Sequence, residues 1–146
     1  MCLIVSGDAT FQKVGYPIKV YKPMYKNVSN LSMISPYRKY LYVFNHIDKI
    51  FDDIKSLNGF PERRLYSTDV HYGYHAFLRK EDCQRYIRNN KEGSTKKAYC
   101  VEFEIPAEST VIFGSYYGYV SIVSDTIIMR RRVKGGFLTR LIKKLF

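Results

Sequence analysis

The stretch Ala98-Tyr99-Cys100-Val101-Glu102-Phe103-Glu104-Ile105 decides the fold class. Tyr99, Val101, Phe103 and Ile105 alternate with Cys100, Glu102 and Glu104, which is the period of a strand with one apolar face. Pro106 ends it. Downstream, Thr110 to Phe113, Tyr119 to Val123 and Thr126 to Arg130 are three more β-rich runs separated by tight turns. Strands joined by tight turns pair antiparallel, because a parallel partner needs a long crossover.

Upstream stands Val70-His71-Tyr72-Gly73-Tyr74-His75-Ala76-Phe77. As one strand it puts His71, Gly73 and His75 on one face and Tyr72, Tyr74 and Ala76 on the other. Gly73 then leaves a gap between two imidazoles, where a ligand or a backbone can come close. Lys80 to Asn89 follows as a helix, with Glu81 and Asp82 in its first turn and Cys83, Tyr86 and Ile87 as a narrow apolar face. An earlier helix is expected to start at Asn45, with Asp48 placed as in a capping box. Ile47, Ile50, Phe51 and Ile54 recur at helical spacing, and Asn58-Gly59 closes it before Pro61. Cys2 to Ser6 and Pro17 to Lys22 are strand candidates, the second stopped by Pro23. Tyr40 to Phe44 is aromatic and β-rich; residues 24–38 and 91–97 lack a period.

The expected architecture is α+β: a mainly antiparallel sheet with two body helices in one domain over residues 1–134. Gly135-Gly136 then introduces a C-terminal amphipathic helix over 135–146. Phe137, Leu138, Leu141, Ile142, Leu145 and Phe146 form one face, and Thr139, Arg140, Lys143 and Lys144 the other.

Composition narrows the function classes. The chain has 146 residues, 46% of them hydrophobic and 16% aromatic, enough for one domain with a real core. Its net charge is +11, and residues 130–146 hold seven of the 24 Lys and Arg residues and no acid. The rest of the chain sets 17 basic against 13 acidic residues. Such charge favours nucleic acid, nucleotides, anionic lipid or acidic protein. The three cysteines show no metal spacing and form no disulfide framework, which points to a reducing compartment. No apolar run reaches membrane-span length, and the first residues do not form a signal peptide, so a cytoplasmic location is expected.

Four constellations carry chemistry. His71 and His75 on one strand face stand about 13 Å apart, too far to share one ion without a bend, and no metal site is expected. Cys2 is a candidate N-terminal nucleophile if Met1 is removed, beside the simpler role of a small apolar strand residue. Tyrosines and cations interleave at Tyr16, Lys19, Tyr21, Lys22, Tyr25 and Lys26, then at Tyr37, Arg38, Lys39 and Tyr40. Rings that stack on bases and cations that neutralise phosphates are the chemistry of nucleotide and single-strand binding. No Walker loop, dinucleotide fingerprint or RNP motif is present, and no cofactor is expected. Finally, the face of the C-terminal helix needs a surface to cover it.

Val20-Tyr21-Lys22, Ser35-Pro36-Tyr37, Gly73-Tyr74-His75-Ala76-Phe77, Ile105-Pro106 and Tyr119-Val120-Ser121, with the Met1-Cys2-Leu3 start, resemble the landmarks of a group of small, functionally uncharacterised phage and bacterial proteins. The resemblance implies a phage or mobile-element origin and no particular chemistry. A weaker likeness is to ADP-ribosyltransferases, in which Lys22, Ser67-Thr68 and Glu102 stand in the order of that family's basic residue, Ser/Thr pair and glutamate. Lys22 departs from the arginine or histidine that family uses.

Together these readings predict a small basic binding protein for an anionic ligand: a nucleotide, a nucleotide second messenger or nucleic acid. Sequestration against a host defence pathway is its concrete version. The expected ligand-side residues are Tyr21, Lys22, Tyr37, Arg38, Tyr74 and His75. The alternatives are a transferase using Glu102, and an interaction module using the tail. Residues 137–146 would then meet a second copy or a host protein, with a membrane surface ranked below.

Overall fold

The structure, a computed structural model, describes residues 3–36, 39–60, 66–90 and 96–133. The amino-terminal half contributes β1 (Leu3–Val5), β2 (Gln12–Lys13), β3 (Ile18–Lys26), β4 (Ser32–Ile34), β5 (Leu41–Val43) and β6 (Ile47–Lys49), then the short helix α1 (Ile54–Leu57). There follow β7 (Thr68–Val70), β8 (Tyr74–Phe77), α2 (Lys80–Asn89), β9 (Ala98–Ile105), β10 (Thr110–Tyr116), β11 (Tyr119–Ser124) and β12 (Thr126–Arg132). The fold is α+β, as expected: one 12-stranded sheet in the order β6-β12-β9-β3-β8-β11-β10-β1-β7, with β2, β4 and β5 branching off. Every pairing among the described residues is antiparallel.

The centre is β9 against β3, an unbroken register from Ile18↔Ile105 to Tyr25↔Ala98. Val101, Phe103 and Ile105 are fully buried on one face, with Val20, Met24, Ile122, Ile127 and Met129. On the other face Cys100 packs with Phe77 and with Cys83 of α2, while Tyr21, Tyr86 and Ile87 close around them. The helix bounds and its apolar face are those the sequence predicts. A third cluster joins Leu3, Val5, Val70, Ile112 and Val123 to Ile54 of α1 and Phe60. The β10–β11 hairpin turns through Tyr117 (φ 50°) and Gly118 (φ 79°), both left-handed as a two-residue type I′ turn requires.

Four expectations are corrected. The helix predicted from Asn45 to Asn58 is a strand, a linker and a single helical turn. Asn45 takes a left-handed φ of 61°, its N–H donates to Met129 O at 2.8 Å, and β6 pairs with β12 from Ile47↔Ile128 to Lys49↔Thr126. Pairing along a free sheet edge outweighs the helical spacing of Ile47, Ile50 and Ile54. Asp53, not Asn45, is the cap: its carboxylate accepts from Lys55 N at 3.2 Å and from Ser56 Oγ at 2.9 Å. Residues 24–38 are not wholly irregular, since β4 lies within them. The strand from Pro17 does not stop at Pro23 but runs to Lys26.

The fourth correction concerns Val70 to Phe77, which is two strands separated by a turn. Asn58 organises that turn. Its Oδ1 accepts from His71 N (3.0 Å) and Tyr72 N (2.9 Å), and its Nδ2 donates to Ile54 O (2.9 Å) and Tyr72 O (3.0 Å). Gly73 sits at φ 125°. His71 and His75 therefore do not share a strand face, and the even spacing assumed for them does not exist. The C-terminal helix expected over 135–146 lies outside the described residues, as does Cys2.

A methyl group at Gly73 would overlap the side chains of Val123 and Ile54 and would force an unfavourable backbone conformation. Gly73→Ala is expected to cost roughly 2–4 kcal/mol, overpacking and backbone strain together. Urea unfolding measures it; an unchanged midpoint would show that the turn relaxes at little cost.

Candidate functional site

The site begins with a proline. Pro23 stands inside β3 opposite Cys100 of β9, in a ladder without a break. Proline has no N–H, so the side on which it cannot donate must face away from β9, toward β8. The bridge between β3 and β8 is Tyr21↔Phe77; two residues further along, the register would set Pro23 against His75. That pairing cannot form. Instead the Lys22 amine reaches across and donates to His75 O at 2.6 Å. Beyond it β4 takes over the same edge of β3, at Tyr25↔Ile34 and Lys26↔Met33. Between the start of β8 and the end of β4 the sheet has a window, and Lys22 stands in it.

Lys22 lies between Val20 and Met24 on the buried face of β3 and is 9% exposed. Its ammonium lies 5.5 Å from the Tyr42 ring centroid and 5.9 Å from that of Phe103. Burial pushes its pKa from 10.5 down to about 8. Among the described residues the ion pairs are Arg130–Glu104 (2.9 Å) and Arg131–Glu102 (3.2 Å), and neither involves Lys22. An ammonium has three donors; His75 O takes one.

A cavity of about 280 Å³ opens on each side of the window. The first lies under α2, walled by Pro23, Tyr25, Tyr86, Ile87, Asn90 and Tyr116. The second is walled by Tyr40, Tyr42, Leu57, Tyr72, Tyr74 and His75. Lys22 and Ser35 line both. In the second cavity Tyr42 packs edge-on to Tyr40 (4.8 Å between centroids), Phe103 (5.2 Å) and Tyr74 (6.2 Å). Burial raises the pKa of Tyr42 and Tyr74, so both stay protonated donors. Tyr40 donates to Asp48 Oδ1 at 3.1 Å, while the buried Oδ2 has no hydrogen-bond partner among the described residues; burial raises this carboxyl also. In the first cavity the rings of Tyr86 and Tyr116 lie 5.6 Å apart.

The six expected ligand residues divide. Lys22 is the centre, and Tyr74 and His75 wall the second cavity. His75 does so with its ring already engaged: Nδ1 faces Gly73 O and Nε2 faces Val70 O, both at 3.0 Å. Its pKa falls to about 4, chiefly through burial, with Lys22 adding to the effect and the two carbonyls pulling the other way. Tyr21 points to the α2 face, against Phe77, and walls neither cavity. Tyr37 and Arg38 lie outside the described residues. Tyr42 and Tyr116 carry no sequence signal for a site, Tyr86 reads there only as part of the apolar face of α2, and Ser35 only as part of a quoted landmark. The transferase set does not assemble. Glu102 is opposite Tyr21, on the face away from Lys22, and is paired with Arg131, while Thr68 is five strands from β3. The thiols of Cys83 and Cys100 contact each other; that bond, then burial, raises Cys83 and keeps it protonated.

At the far end of β3, three cations surround one ring: Arg132 (4.0 Å), Lys97 (5.1 Å) and Lys26 (5.2 Å) about Tyr99. This positive field lies beside Tyr25 and Ala98 of the first cavity. Among the described residues no three His, Cys, Asp or Glu side chains come together as a metal site, and no helix is long and apolar enough to cross a membrane. No protein-family model, no curated protein and no solved structure matches the chain.

Lys22 sets a pH dependence of stability. An unfolded lysine titrates near 10.5 and the folded one near 8. Between these values the unfolded chain holds a proton that the folded chain has lost, so stability rises with pH across that window; below pH 8 the cost of burying the charge is fully present. Urea midpoints of the native protein are therefore expected to gain on those of Lys22→Met between pH 8 and 10. Parallel curves would show that Lys22 is not held at a lowered pKa.

Proposed function

We propose that this chain is a binding protein whose ligand carries a phosphate-like anion to Lys22 and flat apolar groups to the tyrosines around it. The observation that carries the reading is a buried ammonium with no carboxylate beside it among the described residues, open to a cavity on each side. A buried charge is costly unless paired. An anion within hydrogen-bond reach would use the donors that His75 leaves over and would restore the ammonium toward its ordinary pKa. Tyrosine walls suit a nucleobase, because a ring stacks on a ring whatever its sequence identity. The cations about Tyr99 would steer such a ligand in. Among the described residues the His75 ring beside Lys22 is engaged by two backbone carbonyls, which favours holding the ligand over transforming it. Holding a nucleotide without altering it lowers its free concentration, and sequestration of a host defence signal is the cellular form of this proposal.

Adenosine monophosphate is the probe. Its affinity, measured by titration calorimetry, is expected to be level between about pH 7 and 8, above the second ionisation of its phosphate near 6, and to fall above pH 8 as free Lys22 loses its proton, by up to about tenfold per pH unit. Lys22→Met should weaken binding at least tenfold and remove the pH dependence. Binding that survives the substitution unchanged would take the ligand away from this window.

A further inference from the structure

The two cavities are of equal size and meet at one cation, and this constrains the shape of what binds. Each alone, at about 280 Å³, is just short of the ~300–1,000 Å³ of typical small-molecule sites, whereas the two together fall well within it. Each has its own aromatic wall, Tyr86 and Tyr116 in one, Tyr42 and Tyr74 in the other. Lys22 is the one lysine or arginine among the described residues of either wall, and it lies on both. Ser35, the other shared residue, adds a hydroxyl at the same waist. We propose that the two cavities are the halves of one site, and that its ligand is a dinucleotide: two flat bases, one on each side of the sheet window, joined by a single phosphodiester held at Lys22.

The charge count supports the linkage. A phosphodiester brings one negative charge to one ammonium and leaves nothing unpaired in a buried place. A polyphosphate chain would bring several charges to walls that offer one described cation, and the surplus would be desolvated without compensation. The donor count agrees as well. The ammonium keeps its bond to His75 O, so the strands stay bridged, and its two other donors meet the two non-bridging oxygens of one phosphodiester. In the first cavity Asn90 donates through Nδ2 to Tyr86 O at 2.8 Å, which leaves its carboxamide oxygen to accept from a base edge. In the second, the oxygen of the Tyr74 hydroxyl can accept in the same way; the Tyr40 hydroxyl is already bonded to Asp48 Oδ1.

This inference rests on the anion-binding reading above, and its test separates the two. Titration calorimetry compares adenylyl-(3′→5′)-adenosine, which carries only the phosphodiester charge, with adenosine monophosphate on the whole chain. The dinucleotide is expected to bind at least tenfold more tightly, and Tyr74→Ala and Tyr86→Ala are each expected to weaken it about tenfold. Because either tyrosine also packs against a core cluster, amide shifts of the native protein provide a second measurement without any substitution. Gly73, beside the second cavity, and Asn90 and Ala98, beside the first, should all move on adding the dinucleotide. If the dinucleotide binds no more tightly than the mononucleotide, or if only one set of amides moves, the two-lobed site is overturned while the anion site stands. If Lys22→Met leaves both ligands bound as before, the anion site itself falls.

Discussion

One missing backbone donor shapes the middle of this sheet. Pro23 cannot bond to β8, so the β3–β8 ladder ends where a residue with an N–H would have carried it on. His75 O would then be left without a donor, at a cost of about 1–3 kcal/mol if buried. The Lys22 amine supplies one and bridges the strands without closing them. Both cavities and the window between them follow from that substitution of a side chain for a main-chain group. So does the branching of β4 and β5, because β4 occupies the stretch of the β3 edge that β8 gives up.

The fold alone does not account for the charge. A neutral donor would satisfy His75 O equally well, yet the residue present is an ammonium whose pKa is lowered from 10.5 to about 8. That shift corresponds to a penalty on the order of 3 kcal/mol at neutral pH, a large share of the roughly 5–15 kcal/mol by which domains are stable. Strain and unpaired charge that persist in a stable fold are the usual mark of a site, where the cost is recovered on binding. The aromatic rings at 5.5 and 5.9 Å soften the penalty but are uncharged and leave the ammonium available.

The parts legible in sequence are those whose local pattern and tertiary role agree. Strand β9 alternates and lies between two layers that both use the alternation; α2 has its acids at the start and its apolar stripe against Cys100. The Asn45 helix misleads because Ile47, Ile50 and Ile54 fit a helical period as well as a strand, a linker and a one-turn helix. The edge of β12 that decides between them is some eighty residues away. The Val70–Phe77 stretch misleads for a similar reason, since the Asn58 side chain that breaks it belongs to another element. Lys22 was legible in principle: Val20, Lys22 and Met24 alternate inward, and a lysine in that position is an anomaly in itself. The cavities were not, because Ser35, Tyr42, Tyr86 and Tyr116 come from four separate segments and share no local signal.

Lys22 and His75 also constrain each other. The imidazole faces two carbonyl oxygens at 3.0 Å, an arrangement that only a doubly protonated ring would satisfy on both sides. A neutral ring donates to one and presents a lone pair to the other. Yet its pKa is held near 4, because burial is costly and Lys22 already places a positive charge against the same residue. Two cations cannot share this small buried volume, and the order of the two pKa values, about 8 and about 4, makes the lysine the one that keeps its proton. The ring is thereby confined to closing the turn between β7 and β8, and Lys22 is the group that carries the charge at the window.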